Sequence, residues 1–119
     1  MNNDSILRMI GLARRAGKIA FGANLVVSAI RSLRKPSLVL MASDASDNTK
    51  KKITDGCSYH GVKLVNTEYS GDVLAKTIGK TSDVMVVAIM DESFAKSIIS
   101  KINDPGDAGS KNSAGGAII

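Results

Sequence analysis

The chain has 119 residues and a formal net charge of +5 at pH 7, and its length suits one domain with one hydrophobic core. Aromatic residues make up only 3% of the chain, so aliphatic side chains must fill that core. The longest apolar runs, such as residues 84–90, are too short to cross a bilayer, and a single cysteine, Cys57, excludes an internal disulfide and gives no metal-binding spacing.

Two amphipathic helices and a short strand are predicted for the first third of the chain. Apolar residues recur at helical spacing over residues 6–13, and Gly17 ends this helix. Residues 19–21 alternate as in a brief strand, after which a second helix begins at residues 22–24 and stops before Pro36. The inward face of the second helix is predicted to consist of four apolar residues: Val26, Ala29, Ile30 and Leu33.

Three apolar runs predict further strands, at residues 38–42, 62–65 and 84–90. The first and last runs show no polar alternation, which is typical of strands covered on both faces. Residues 86–89 are therefore predicted to lie on a central strand. Strands that alternate with helices predict an α/β fold, a three-layer α-β-α sandwich with a central mixed sheet of about four strands.

Three more helices are predicted between and after these strands. A polar turn leads into a third helix that ends near Gly61, Ser70 caps a fourth, and Asp91 opens a fifth. From Pro105 onward glycine, serine and alanine dominate without periodicity. This composition predicts a folded domain over residues 1–104 and a flexible tail over residues 105–119.

The positive charge is concentrated near the amino terminus. Residues 1–35 hold seven basic side chains and one acidic one, a net charge of +6, whereas the rest of the chain holds nine basic and ten acidic ones, a net charge of −1. Such asymmetry favours a face that binds a polyanion. A solvated basic surface without a partner is the alternative.

No enzymatic constellation is present in the sequence. His60 is the only histidine, and Cys57 is interpreted as a small core residue rather than a nucleophile. Gly79-Lys80-Thr81 has the ending of a phosphate-binding P-loop but lacks its first glycine, and Asp44 is interpreted as a helix cap. We therefore expect neither enzymatic activity nor a cofactor. No charged and then apolar leader opens the sequence, and we expect a cytoplasmic protein with no membrane partner.

The turn at Gly22-Ala23-Asn24 is a candidate binding site. A strand that turns through glycine into a helix leaves free backbone N–H groups at the helix start, and these attract anions such as phosphate. Asn24 lies in the first turn, where its amide offers a donor and an acceptor to a base edge. The alternative interpretation makes Gly22 only a turn and Asn24 only a helix cap.

The order of elements and three segments resemble the kink-turn-binding ribosomal-protein superfamily of the L7Ae type, in particular its small bacterial ribosomal-protein-like members. The segments are Gly-Lys-Ile to Gly-Ala-Asn at residues 17–24, Ala-Ser-Asp-Ala-Ser at residues 42–46 and Ile-Gly-Lys at residues 78–80. The resemblance covers residues 4–103. Three matched segments in the right order are much more specific than any one of them.

The resemblance implies a monomeric protein that binds structured RNA, ribosomal RNA or another kink-turn RNA, within the ribosome or another ribonucleoprotein. Residues 22–24 would enter the major groove at tandem sheared G·A pairs, with Asn24 touching a guanine. The loops at residues 45–46 and 79–81 would close around a base extruded at the bend. With the nearby basic residues, the predicted RNA-binding set is Lys18, Gly22, Ala23, Asn24, Leu25, Ser28, Arg31, Lys35, Ala45, Ser46, Gly79, Lys80 and Thr81.

Two features depart from the high-affinity members that the sequence resembles. Those members carry a glutamate after the asparagine and a lysine three residues beyond it, where this chain has Leu25 and Ser28. The basic pair that often precedes the motif glycine is Ala20-Phe21 here. Two hypotheses therefore stand: an RNA-binding protein, or a protein-interaction module on the same fold with weak or no specific RNA binding.

Overall fold

The computed structural model describes residues 3–103, so the tail predicted for residues 105–119 lies outside the described residues. Five helices and four strands alternate in the order that the sequence predicts. They are α1 (Asn3–Arg15), β1 (Ile19–Phe21), α2 (Ala23–Arg31), β2 (Leu38–Met41), α3 (Asp47–His60), β3 (Leu64–Asn66), α4 (Gly71–Thr77), β4 (Val86–Ile89) and α5 (Glu92–Asn103). No helix within this range is long and apolar enough to span a membrane.

The four strands form one mixed sheet in the order β1-β4-β2-β3. β4 is antiparallel to both β1 and β2, whereas β2 and β3 are parallel. Strands β1, β2 and β3 therefore all end where β4 begins. We call this the Gly22 end of the sheet, because Gly22 follows β1 there, and we call the other the opposite end.

Helices cover both faces of the sheet, which confirms the predicted α-β-α sandwich. On one face α1, α4 and α5 pack in a first apolar cluster that includes Ile10, Leu74 and Ile98. On the other face α2 and α3 pack in a second cluster that includes Ile30 and Ile53. All four residues of β4 are fully buried between two neighbouring strands, and this confirms the predicted central strand.

The predicted caps Ser70 and Asp91 are confirmed by their hydrogen bonds, whereas α3 is capped by Ser46 and not by the predicted Asp44. The hydroxyl oxygen of Ser46 accepts from the Thr49 N–H, that of Ser70 accepts from the Val73 N–H, and the Asp91 carboxylate accepts from the Phe94 N–H at 3.1 Å. Each bond satisfies one of the free N–H groups at the start of its helix.

The prediction for the end of α2 is wrong. α2 stops at Arg31, and Leu33 is fully exposed instead of facing the core. The Ser32 hydroxyl lies 2.8 Å from the carbonyl oxygens of both Ala29 and Arg34, and the Lys35 ammonium donates to the Ser32 carbonyl at 2.7 Å. Such local bonds from side chains to the backbone compete with continuation of a helix.

Candidate functional site

The turn from β1 into α2 leaves backbone donors free at the Gly22 end of the sheet. Gly22 has φ 90° and ψ 142°, a conformation that only glycine adopts readily. Its N–H donates to the Val86 carbonyl at 3.0 Å, and the first helical bond runs from the Val26 N–H to the Gly22 carbonyl. Among the described residues, no acceptor meets the N–H groups of Ala23, Asn24 and Leu25. The helix dipole adds positive potential at these donors.

The Asn24 side chain is exposed and free. Gly22, and not Asn24, is the N-cap of α2, and no side chain caps this helix. The interpretation of Asn24 as only a cap is therefore wrong. The Asn24 amide makes no hydrogen bond within the described part of the chain. Leu25, which is 60% exposed, follows it, and the exposed Ser28 lies one turn further along α2. The start of α2 therefore presents an unengaged amide beside three unpaired N–H groups.

The loop between β2 and α3 also lies at the Gly22 end, but its side chains have structural roles. Ala45 is only 6% exposed and belongs to the second apolar cluster. Ser46 caps α3, and its hydroxyl lies 3.1 Å from the Thr49 hydroxyl. The side chain of Ala45 is therefore unavailable to a ligand, and Ser46 offers a hydroxyl that is already engaged.

Asp44 links two of the loops at this end. It is not the cap of the helix that follows it, because Ser46 has that role. Its carboxylate instead accepts from the N–H of Gly71, the first residue of α4, at 2.8 Å. The Ser43 N–H donates to the Tyr69 carbonyl beside it. The loops after β2 and β3 are thus held together by hydrogen bonds between residues about 27 positions apart.

The third predicted segment, residues 79–81, lies beside β1. Gly79 follows the C-cap of α4, Ile78, and has φ 80°, and all three residues of the segment are exposed. The Lys80 ammonium lies over the Phe21 ring, 5.4 Å from its centroid. Since Phe21 directly precedes Gly22, this contact brings the Lys80 ammonium close to the predicted motif, with Gly79 and Thr81 beside it in the chain.

Three of the predicted site residues lie away from the motif. Lys18 precedes β1, and its carbonyl accepts from the Met90 N–H, so it lies at the opposite end of the sheet. Arg31 is the last residue of α2 and lines a groove between α2 and α3 with Lys52, Asp55 and Tyr59. Lys35 lies beyond the helix, just before β2. The structure therefore divides the basic residues that the sequence groups together.

One basic residue outside the predicted set is close to the motif. The Arg14 guanidinium lies over the Phe21 ring, with its Cζ 5.3 Å from the centroid, and its Nε–H donates to the Ile78 carbonyl at 3.2 Å. In the sequence Arg14 belongs to the basic amino-terminal segment but to no motif of its own. Its bond to Ile78 joins residues 64 positions apart, which no local pattern reveals.

The described side chains include no cluster of three or more metal-ligating groups. Cys57 is buried in the second apolar cluster, and burial raises the pKa of its thiol to about 11. A thiol with so high a pKa is a poor nucleophile at neutral pH.

Comparison with known proteins identifies relatives along nearly the whole described chain. The sequence model of the "Ribosomal protein L7Ae/L30e/S12e/Gadd45 family" matches residues 4–99. A protein from Bacillus subtilis (strain 168) named RNA-binding protein YlxQ is 45% identical over 95 residues, which are 80% of this chain and 92% of that protein. A protein of the same name from Enterococcus faecium is 40% identical over 95 residues, 80% of this chain and 88% of its own length.

Solved structures share the fold. A protein of unknown function from Bacillus halodurans C superimposes with a TM-score of 0.76 at 29% identity, covering 83% of this chain and 97% of that one. The Giardia lamblia 15.5kD RNA binding protein superimposes with a TM-score of 0.66 at 20% identity, covering 79% and 78% of the two chains. The second likeness is one of fold alone.

Proposed function

The chain belongs to the ribosomal protein L7Ae/L30e/S12e/Gadd45 family, and from this premise we propose that it is a non-enzymatic RNA-binding protein. The Gly22 end of the sheet is its RNA-binding surface. Relatives that share 45% and 40% of their aligned residues with this chain bear the name RNA-binding protein, which supports the proposal.

The start of α2 is the observation that carries the proposal. A protein that binds RNA specifically needs hydrogen-bond donors for the phosphates and a group that contacts the base edges. The unpaired N–H groups of Ala23, Asn24 and Leu25 meet the first need, since helix N-termini bind phosphates. The exposed Asn24 amide meets the second, because it presents a donor and an acceptor side by side.

The RNA that we propose is a kink-turn, bent at tandem sheared G·A pairs, in the ribosome or another ribonucleoprotein. Asn24 touches a guanine of these pairs, and the loop at Gly79-Lys80-Thr81 faces the bend. Arg31 lies seven residues after Asn24 on the same exposed side of α2, about 10 Å further along the helix axis. Arg31, together with Lys35, is therefore assigned to the stem that flanks the bend rather than to the bend itself.

A titration of the wild-type protein against two RNAs tests this function. One RNA contains a kink-turn, and the other is a straight duplex of the same length and charge. We expect tighter binding to the kink-turn. Binding releases the cations that the protein displaces from the phosphates, so the affinity for both RNAs should fall as the salt concentration rises. Fluorescence anisotropy at four salt concentrations measures both quantities.

Two results of this titration contradict parts of the proposal. Equal affinity for the two RNAs, with affinity that still falls as salt rises, would contradict kink-turn recognition. The protein would then be an RNA-binding protein of another specificity. Absence of binding to either RNA at low salt would contradict the proposal that the protein binds RNA. The second result would favour the alternative function, a protein-interaction module on the same fold.

A further inference from the structure

Two cations meet at one aromatic ring beside Gly22. Arg14 comes from the last turn of α1 and Lys80 from the loop after α4, and both lie over the ring of Phe21 at 5.3 Å and 5.4 Å from its centroid. The ring attracts each cation through its electron-rich face. The three residues come from three different elements, so the cluster exists only in the folded chain.

The ring and the backbones that carry the two cations are held by the fold. Phe21 is half-buried and packs against the first apolar cluster, so its ring is anchored in the core. The Arg14 guanidinium also donates to the Ile78 carbonyl at 3.2 Å, and this bond holds it at the end of α4. Lys80 directly follows Gly79, which has a φ of 80°, and the Lys80 N–H donates to the Ala75 carbonyl at 2.8 Å, so its backbone is held against the end of α4.

The charge of this cluster is not neutralised within the described part of the chain. The ion pairs there are Lys51–Asp55, Lys76–Asp72 and Lys96–Glu92, each within one helix, and neither Arg14 nor Lys80 takes part in one. Both cations are thus available to negatively charged groups. A phosphate oxygen beside either of them gains a charge-assisted hydrogen bond.

The cluster and the start of α2 lie on either side of β1. β1 is the outermost strand of the sheet, and Phe21 packs on the face covered by α1 and α4. α2 begins one residue after Gly22 and packs on the other face. Since Phe21 and Ala23 are two residues apart, their Cα atoms lie within about 7 Å of each other. The two groups are therefore close enough for one strand of RNA to reach both.

We propose that Arg14 and Lys80, positioned by Phe21, form a two-cation site for RNA backbone phosphates on the side of β1 opposite α2. This inference rests on the proposed function and adds to it the residues that hold the RNA backbone. Asn24 and the N–H groups of α2 contact the RNA on one side of the strand, and the two cations hold it on the other. The cluster thus fixes how the RNA lies on the Gly22 end.

A pair of matched double variants tests the site. Arg14→Gln with Lys80→Gln removes both cations, and Lys63→Gln with Lys96→Gln removes the same charge from exposed residues near the opposite end of the sheet, outside the proposed binding surface. For kink-turn RNA in about 0.1 M salt we expect the first variant to bind at least about tenfold more weakly. The slope of log affinity against log salt should shrink by about 0.7–0.9 for each phosphate that the protein no longer neutralises. The control should keep the wild-type slope within about half a unit.

The role of the ring is tested separately. Phe21→Leu keeps an apolar side chain in the core but removes the ring, and Phe21→Tyr keeps the ring. If Phe21 positions the cations, the leucine variant loses affinity and part of the salt slope, whereas the tyrosine variant retains both. Equal slopes for leucine, tyrosine and wild type would show that the ring has only a packing role and would overturn its part in the proposal.

The outcomes separate this site from the proposed function. If wild type binds RNA and the Arg14 and Lys80 variant binds with the same affinity and slope, the two-cation site is wrong and the proposed function stands. Equal losses in both double variants would also overturn the site, because they would reflect net charge alone. If wild type binds no RNA, the proposed function and this site fail together. Thermal melting of every variant confirms that the fold is intact.

Discussion

At the scale of single residues, Gly22 and Gly61 both have a positive φ but differ in ψ. Gly22 is at φ 90° and ψ 142°, which is nearly exclusive to glycine, whereas Gly61 is at φ 71° and ψ 32°, where asparagine is also found. A Cβ at either position meets no atom within 4 Å, so any cost comes from the backbone. Gly22 therefore sets the direction in which α2 leaves the sheet.

Exchanging each glycine for alanine separates the two roles. We expect Gly22→Ala to lower the free energy of unfolding by about 1–3 kcal/mol and to weaken RNA binding, because the free N–H groups of α2 move. Gly61→Ala should cost about 1 kcal/mol and leave RNA affinity unchanged. Chemical denaturation and RNA titration of both variants check this. An unchanged RNA affinity for Gly22→Ala would contradict the role given to the turn.

Cys57 makes stability depend on pH in the alkaline range. Burial raises the pKa of its thiol from its ordinary value of 9.0 to about 11, because desolvation penalises the thiolate. The stabilising contribution of this thiol is complete below pH 9 and is lost as the pH rises toward 11, since only the unfolded thiol ionises there. The free energy of unfolding of wild type should thus fall more steeply over this range than that of Cys57→Ala. Parallel pH profiles for the two proteins would refute the assigned burial.

At the scale of elements, we predict that the exposed side of α2 determines how tightly RNA is held. Leu25 is 60% exposed and Ser28 is exposed, so both positions accept polar side chains without loss of core packing. The double variant Leu25→Glu with Ser28→Lys places a carboxylate in the first turn, where the helix dipole stabilises it, and a cation one turn on. We expect a higher affinity for kink-turn RNA and an unchanged or slightly higher melting temperature. A lower affinity would show that Leu25 itself contacts the RNA.

Most element boundaries follow from the sequence, and the exceptions have local causes. Helical periodicity and caps predict α1, α3, α4 and α5, because an amphipathic face and a capping side chain are both local signals. The strand predicted from Val62 begins only at Leu64. The Val62 N–H instead donates to the Cys57 carbonyl and closes α3 after the left-handed Gly61. Propensity alone does not distinguish a closing helix turn from the first residues of a strand.

At the scale of the whole molecule, two leucines test the arrangement of the core. Leu40 is fully buried on β2, whereas Leu33 is fully exposed between α2 and β2. Leu40→Ala should lower the free energy of unfolding by about 2–5 kcal/mol, since it leaves a cavity in the first apolar cluster. Leu33→Ala should change it by less than about 0.5 kcal/mol. If urea denaturation shows similar losses of unfolding free energy for the two variants, this arrangement of the core is wrong.

The candidate site is predictable from sequence only where its residues are close together in the chain. Gly22, Ala23 and Asn24 form one segment, and its residue types predict the glycine turn and the helix start. The contact of Arg14 and Lys80 with Phe21 depends on how α1 and α4 pack on the same face of the sheet. The excess positive charge near the amino terminus favours a polyanionic partner but does not show where that partner binds. Arg14 lies near the motif, whereas Lys18 lies at the opposite end of the sheet.

The change in RNA affinity caused by Asn24→Ala tests the central claim most directly. The Asn24 amide has no hydrogen bond within the described residues, so its loss should leave the melting temperature unchanged. If Asn24 reads a guanine, affinity for a kink-turn should fall by about 1–3 kcal/mol, and by less for the same RNA with its G·A pairs replaced by Watson–Crick pairs. An Asn24→Ala protein that is fully folded and binds the kink-turn as tightly as wild type would contradict the claim.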